Sequence, residues 1–400
     1  MSLSVREDAP LAPLTTLGVG GPARWLLEAD DEEGLREAFA FAAGRGVEGA
    51  GLLVLGGGSN LLVADRGIDG VVLRPRLRGI TVSAEGDRVL VRAGAGEPWD
   101  GLVARAAEEG WAGLECLSGI PGDVGATPIQ NVGAYGQEVA ETVVAVEAID
   151  RGSGARVTLD GAQCRFGYRD SAFKREARGR YVITAVTFAL TPRGAAALRY
   201  PELQRALQVP AGAHGAHGAH GAHGAHGAHG AHGAHGAHGA QGGGGPSLAE
   251  VRATVLRLRR SKSMVLDPED ENGKSAGSFF MNPTLDVETF AGVRARIEAA
   301  GAIKAGDALP TFPGGEGRVK VPAAWLIERA GFTKGMALGR AGISSRHALA
   351  LVNRGGATAA EMVALAMHIR GEVRARFGVA LAPEPDLWGF TREEQAALTG

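Results

Sequence analysis

Between Gly113 and Glu138 the chain reads GLECLSGIPGDVGATPIQNVGAYGQE. Five glycines (Gly119, Gly122, Gly125, Gly133, Gly136) and two prolines (Pro121, Pro128) fall within eighteen residues. That density excludes a regular helix or a central strand. No Lys or Arg occurs between Arg105 and Arg151, so this stretch has only backbone N–H groups with which to hold an anion. Glycines leave those groups uncovered and able to turn toward a ligand. Thr127, Gln130 and Asn131 add neutral hydrogen-bond partners, and Ile120, Val124, Ile129 and Val132 argue against a disordered loop. The pattern is that of a phosphate-bearing cofactor site. A second glycine run, Gly56-Gly57-Gly58-Ser59-Asn60, follows an apolar segment directly, another common phosphate-cradle arrangement.

Three further places carry reactive side chains. Arg169 stands in Phe166-Gly167-Tyr168-Arg169-Asp170-Ser171, where the flanking aromatics suggest a partly buried, placed charge. Ser278 lies in GSFFMNP between a glycine and two aromatics; taken alone it reads as a serine satisfying a backbone group. Glu384 lies between Pro383 and Pro385, a carboxylate with little conformational freedom.

Regular elements must position these groups. Ala23–Ala29 reads as a strand, Asp30 or Asp31 as a helix cap with Leu35, Ala38, Phe39 and Ala42 on one face, and Leu52–Leu55 as the returning strand of a compact β-α-β unit. Strands follow at Val71–Leu73, Ile80–Ala84 and Val89–Ala93, the last two as a hairpin. A helix is predicted over Trp99–Glu109, and strands over Val143–Ile149, Arg156–Leu159 and Tyr181–Leu190. Helices are predicted at Leu248–Arg260, Val287–Ala300, Ala323–Ala330 and Ala359–Phe377, and His347 and His368 read as structural. Ala213–Gly239 is a Gly-Ala-His tract of nine histidines, read as a linker able to capture metal only transiently; no dedicated metal site is expected.

Lys plus Arg number 42 against 44 for Asp plus Glu, a net charge of −2 that gives no nucleic-acid signature. The two cysteines, Cys116 and Cys164, have no metal-ligand or redox spacing and fit a reducing cytoplasm. No basic segment followed by an apolar run opens the chain, and no apolar stretch approaches the roughly 20 residues of a membrane span. A soluble cytoplasmic protein is the expectation. The G-x-G-x-x-G spacing is absent, and GKS at Gly273–Ser275 lacks the upstream glycine of a P-loop.

Together, Thr15–Gly18, Leu55–Leu62, the central loop, FGYRDSAFK, GSFFMNP and LAPE resemble the UDP-N-acetylenolpyruvoylglucosamine reductase family, in order and over nearly the whole chain except the histidine tract. The resemblance implies an α+β fold, with a two-part FAD-binding domain of the PCMH (vanillyl-alcohol-oxidase-like) type and a C-terminal α+β substrate domain. The implied divisions are 1–70 and 71–195 for the flavin subdomains, 196–246 for a substrate loop and linker, and 247–400 for the substrate domain. It also implies non-covalent FAD, NADPH as co-substrate, and reduction of the enolpyruvyl group of UDP-N-acetylglucosamine enolpyruvate to UDP-N-acetylmuramate. That reaction belongs to peptidoglycan synthesis, hence to cell-wall biogenesis, cell shape and division. By motif, Arg169, Ser278 and Glu384 match catalytic positions. Gly56–Asn60, Ile120, Pro121, Gly122, Gly125, Ala126, Thr127, Gln130, Asn131, Gly133 and Ala134 match the flavin loops. Tyr168, Tyr200 in RYPEL, Lys262, Asn282 and Lys320 match positions that contact the UDP-sugar or NADPH, and Tyr200 suggests the form in which a tyrosine-bearing loop closes over substrate. Met281, Arg329 and Asp386 depart from the family's usual residues. A monomer is expected, with no nucleic-acid or membrane partner.

Two rival classes stay open on residues alone. One is an alcohol oxidase on the same flavin fold, which leaves GSFFMNP and LAPE unexplained. The other is a metal buffer built on the histidine tract, which would lack a yellow chromophore.

Overall fold

The computed structural model describes residues 2–47, 51–208, 245–304 and 306–400; the Gly-Ala-His tract, and with it the linker reading, lies outside the described residues. The first elements are β1 (Leu3–Pro10), β2 (Pro22–Ala29), α1 (Glu32–Ala43), β3 (Leu52–Val54), β4 (Leu61–Val63) and β5 (Ile68–Pro75). Asp31 caps α1 by accepting the Gly34 N–H at 2.8 Å. Leu35, Ala38 and Ala42 are buried as the spacing predicts, with Phe39 partly so. The sheet order is β1-β2-β5-β3, with β2 and β3 both parallel to β5. The β-α-β unit is therefore present, but β5 is inserted between its two strands. The boundary expected at residue 70 falls inside β5, whose buried Val71–Leu73 form the centre of this sheet. β1 has no counterpart in the predicted elements: it is an edge strand whose Arg6, Glu7 and Asp8 face solvent and break the apolar alternation.

The second layer comprises β6 (Ile80–Glu85), β7 (Arg88–Gly94), α2 (Trp99–Glu108), β8 (Trp111–Ala112), β9 (Gly133–Ala134), β10 (Gln137–Glu138), β11 (Val143–Asp150), β12 (Arg156–Asp160) and β13 (Tyr181–Pro192). An antiparallel sheet in the order β12-β11-β13-β7-β6 carries α2 on one face. Trp99, Leu102, Val103 and Ala106 of that helix pack on Val91, Val146 and Phe188. Ile149 and Val182 enter the core of the first sheet beside Leu35 and Val71, so the two layers share apolar contact.

The remainder holds α3 (Pro201–Ala206), α4 (Leu248–Ser261), β14 (Thr284–Asp286), α5 (Val287–Ala299), β15 (Phe312–Pro313), β16 (Arg318–Lys320), α6 (Ala323–Arg329), β17 (Ala337–Leu338), β18 (Ala341–Ile343), β19 (Leu351–Asn353), α7 (Ala359–Phe377), β20 (Asp386–Trp388) and α8 (Arg392–Thr399). Met362, Leu365, Ile369, Val373 and Phe377 line up at helical spacing along α7, and Leu17 and Leu62 from the N-terminal part pack into the same core. β20 pairs in parallel with β4. That pairing returns the end of the chain to the first domain and carries Glu384 with it. Among the described residues, no helix is long and apolar enough to cross a membrane.

Candidate active site

The two glycine loops lie back to back. A Cβ on Gly57 would stand 2.6 Å from the Gly122 Cα, and one on Gly58, whose φ is +63°, would run into the Leu14 carbonyl oxygen. The Ser59 hydroxyl donates to the Pro121 carbonyl at 3.0 Å and locks the loops together. Beside them opens a cleft of about 790 Å³ lined by all three layers. It includes Gly56–Asn60, Ile120, Pro121, Gly122, Ala126, Thr127, Gln130, Gly133 and Ala134 from the flavin loops, and Tyr168, Tyr200, Lys262, Asn282 and Lys320 from the expected substrate set. Arg169, Ser278 and Glu384 line the same cleft.

Gly125 and Asn131 do not line it. Gly125 is pressed on Ala95, its N–H donating to the Ala95 carbonyl at 2.9 Å. Asn131 is buried behind the wall. Its amide donates to Glu138 at 2.7 Å and to the Gly167 carbonyl at 2.9 Å, and its side-chain oxygen accepts the Ala140 N–H. Its contribution is to pin the turn that carries Arg169. Gly167 and Asp170 exchange backbone hydrogen bonds at 2.9 and 3.3 Å across that turn, leaving Tyr168 and Arg169 at its tip. Arg169 has a φ of +53°, a conformation that a non-glycine residue adopts at a cost and that clusters at functional sites.

Arg169 Nε lies 3.2 Å from Glu384 Oε1, and Nη2 donates to the Gly133 carbonyl at 2.5 Å. Burial pushes the Glu384 carboxyl above the usual glutamate range, with Arg169 and Lys174 pulling the other way. Ser278 and Glu384 lie on two segments held together edge to edge. Met281 N–H donates to Ala382 at 3.0 Å, Glu384 N–H to Phe279 at 2.9 Å, and Phe280 bridges Pro383. Arg370, buried, donates to the Leu381 carbonyl at 2.9 Å and fixes the approach to Pro383. Asn60 donates to Gln130 at 2.7 Å and to the Glu384 carbonyl at 3.2 Å, joining both glycine loops to the carboxylate segment.

Lys320 Nζ sits 3.4 Å from the Tyr168 ring centroid. Burial lowers the proton affinity of its ammonium and raises the pKa of the Tyr168 phenol. Asn282 Oδ1 accepts the Ala323 N–H at 2.9 Å at the start of α6, and its side chain also hydrogen-bonds the Tyr168 phenol. Lys262 pairs with Glu202 at 2.6 Å, and Tyr135 and Tyr200 meet edge to face at 5.5 Å. Of the three departures from the family pattern, Asp386 lines the cleft and Met281 and Arg329 do not.

Several lining residues escape the sequence reading. Arg259 of α4 supplies the cation that the central loop lacks. It is partly buried beside Gly119; its Nη2 donates to the Met264 carbonyl at 2.6 Å, and its buried Nε has no hydrogen-bond partner among the described residues. Asp123 sits in the wall with its carboxyl pushed up by burial against the pull of Arg74, Arg78 and Arg76. His347, read as structural, lies in the turn between β18 and β19 and lines the cleft, and burial holds its pKa down at about 4. His368 stacks edge-on against Phe332 and is structural as read.

The donor set fits a flavin dinucleotide. Two glycine loops, packed too closely for a Cβ at Gly57 or Gly58, offer backbone N–H groups, and a partly buried guanidinium whose Nε has no partner among the described residues stands next to them.

Comparison with known proteins agrees with this geometry. Residues 23–160 match the family model described as an FAD binding domain, and residues 267–388 match that of the UDP-N-acetylenolpyruvoylglucosamine reductase C-terminal domain. The chain is 47% identical to the UDP-N-acetylenolpyruvoylglucosamine reductase of Streptomyces coelicolor, over 95% of this chain and 89% of that one. It is 46% identical to that of Thermobifida fusca, over 98% and 100%. The crystal structure of the reductase from Thermus caldophilus superposes with a TM-score of 0.59 at 26% identity, covering 96% of this chain and 99% of that one. The fold is accordingly the α+β flavin domain followed by a C-terminal α+β domain that the motifs imply. This chain belongs to the UDP-N-acetylenolpyruvoylglucosamine reductase family.

Proposed function

We propose that Arg169, Ser278 and Glu384 are the groups with which this FAD-containing, NADPH-dependent reductase converts UDP-N-acetylglucosamine enolpyruvate to UDP-N-acetylmuramate in peptidoglycan precursor synthesis. One observation carries the reading: a guanidinium, a hydroxyl and a carboxyl far apart in sequence line one cleft, beside two glycine loops that fit a flavin. When bound, the flavin takes electrons from NADPH and passes hydride to C3 of the enolpyruvyl group. Charge then builds on C2 and the neighbouring carboxylate. Arg169 is permanently cationic and preorganised by Glu384 and the Gly133 carbonyl, so it stabilises that charge without reorganising. Ser278, half-buried on the wall, delivers the proton to C2. Glu384 orients Arg169, and its raised pKa lets it hold a proton beside a developing dianion at lower cost than an ordinary carboxyl would.

In this reading the small α/β unit, extended to Pro75 by β5, and the unit up to residue 195 hold FAD. Tyr168, Tyr200, Lys262, Asn282 and Lys320 bind the UDP-sugar or NADPH. A net charge of −2 and the absence of a membrane-crossing helix among the described residues support a cytoplasmic enzyme without nucleic-acid partners. The purified flavoprotein should oxidise NADPH only when the enolpyruvyl sugar is supplied, giving a product heavier by two hydrogens. NADPH consumption that needs oxygen but not the sugar would overturn the assignment.

A further inference from the structure

Two cations of the cleft, Arg169 and Lys262, already have carboxylate partners. Arg169 holds Glu384 with both side chains largely buried, 19% and 14% exposed. Lys262 holds Glu202 at 2.6 Å with both about a third exposed, so a ligand can reach that pair from solvent. The geometry around it is fixed from both sides. Lys262 is the C-terminal capping residue just after α4, and Glu202 stands in the first turn of α3, immediately after Tyr200 and Pro201. Leu203 docks α3 on Val251 and Val255 of α4. Lys262 Nζ also lies 5.8 Å from the Tyr135 ring centroid, and that ring meets Tyr200.

We propose that Glu202 is an internal counter-ion which an anionic ligand must displace: its carboxylate occupies Lys262 where a phosphate or carboxylate of the ligand has to sit. This rests on the reading that Lys262 contacts the anionic part of the UDP-sugar. Exchange at Lys262 unclamps the start of α3, which bears Tyr200, as the ligand arrives. The same ion pair thus sets both affinity and the position of Tyr200. The pair is exposed enough to be weak, so its loss favours the ligand modestly and only while salt is low.

The test is steady-state kinetics with UDP-N-acetylglucosamine enolpyruvate across a salt series, using flavin-loaded enzyme. Glu202→Gln should lower KM about three-fold at low salt and steepen its rise with salt, because one cation is freed. Glu202→Asp keeps the charge at the helix N-terminus but shortens its reach, and should fall between. Lys262→Met should raise KM, and adding Glu202→Gln to it should then change nothing. If Lys262→Met leaves KM alone, the reading of Lys262 as a ligand contact is wrong. If Lys262→Met raises KM and Glu202→Gln raises it too, Glu202 is a strut that positions Lys262, and the exchange is refuted. A fall in KM of equal size with and without Lys262 would also refute it, since only the general field of the carboxylate would then be acting.

Discussion

Replacing Gly57 by alanine tests the flavin cradle without touching any charged group. The new Cβ would lie 2.6 Å from the Gly122 Cα, 3.1 Å from its carbonyl carbon and 3.3 Å from the Asp123 nitrogen. All three are backbone atoms, so no side chain can swing aside. Ordinary contact begins at 3.4 Å, and the loops must part by about 0.8 Å to reach it. Overpacking of this kind costs about 1–3 kcal/mol. If that cost falls on the cradle's bound geometry, the Kd for FAD rises about 5- to 140-fold, at about 1.4 kcal/mol per decade. The ratio of flavin to protein absorbance on purification gives a first reading. Titration of FAD into stripped protein gives the constant, and far-ultraviolet circular dichroism checks that the fold is kept. Unchanged FAD affinity in a folded variant would mean that the contact between the two loops does not shape the cofactor site.

Gly101→Ala is the matched control: its Cβ would meet only Pro98 Cβ at 3.9 Å within α2, so thermal denaturation should show stability gained by up to about 1 kcal/mol and flavin content unchanged. Arg169→Lys keeps the charge but loses the planar fork that reaches both Glu384 and Gly133; re-oxidation of the reduced flavin by the enolpyruvyl sugar should slow about 10²–10³-fold, with NADPH-driven reduction little changed in stopped-flow traces. His347 is held neutral with a pKa of about 4 against an ordinary 6.5. The unfolded chain therefore takes up its proton first as pH falls, and stability is lost between pH 6.5 and 4. His347→Gln should remove on the order of 2 kcal/mol of that acid loss, and parallel denaturation curves for the two proteins would show no such contribution. The flavin should stay in the supernatant after acid precipitation, since Cys116 is buried with its thiol pKa pushed up; flavin retained with the pellet would contradict this.

Much of the framework is legible because local signals agree with the fold. Asp31 before an apolar 3.6-residue pattern becomes the cap of α1, and Trp99 to Glu108 becomes a helix over the second sheet. What escapes depends on long-range placement. β1 is written in charged residues and gains its strand identity from pairing with β2. α8 carried a readable signal, Thr391 with Glu394 three residues on, and that capping box is present. Arg259 belongs to a helix far along the chain, so the correct observation that the central loop has no basic residue could not reveal the guanidinium delivered to Gly119. His347 reads as structural in the sequence, where nothing local reports that the turn between β18 and β19 brings it to the cleft. Gly125 and Asn131 share the composition of their loop but stand behind it, because an irregular loop has no period to say which side faces the ligand.

The central claim is that Ser278 delivers a proton to C2 and has no part in the NADPH half of the reaction. Anaerobic stopped-flow of Ser278→Ala, following the flavin band in each half-reaction separately, tests it most directly. Reduction by NADPH should run near the wild-type rate. Re-oxidation by the enolpyruvyl sugar should slow by at least about 10²–10⁴-fold, the usual loss of a general acid. Ser278→Cys should recover part of that rate with a changed solvent isotope effect. If Ser278→Ala slowed both half-reactions equally, the serine would be a binding or structural residue, and the account of proton delivery would be wrong.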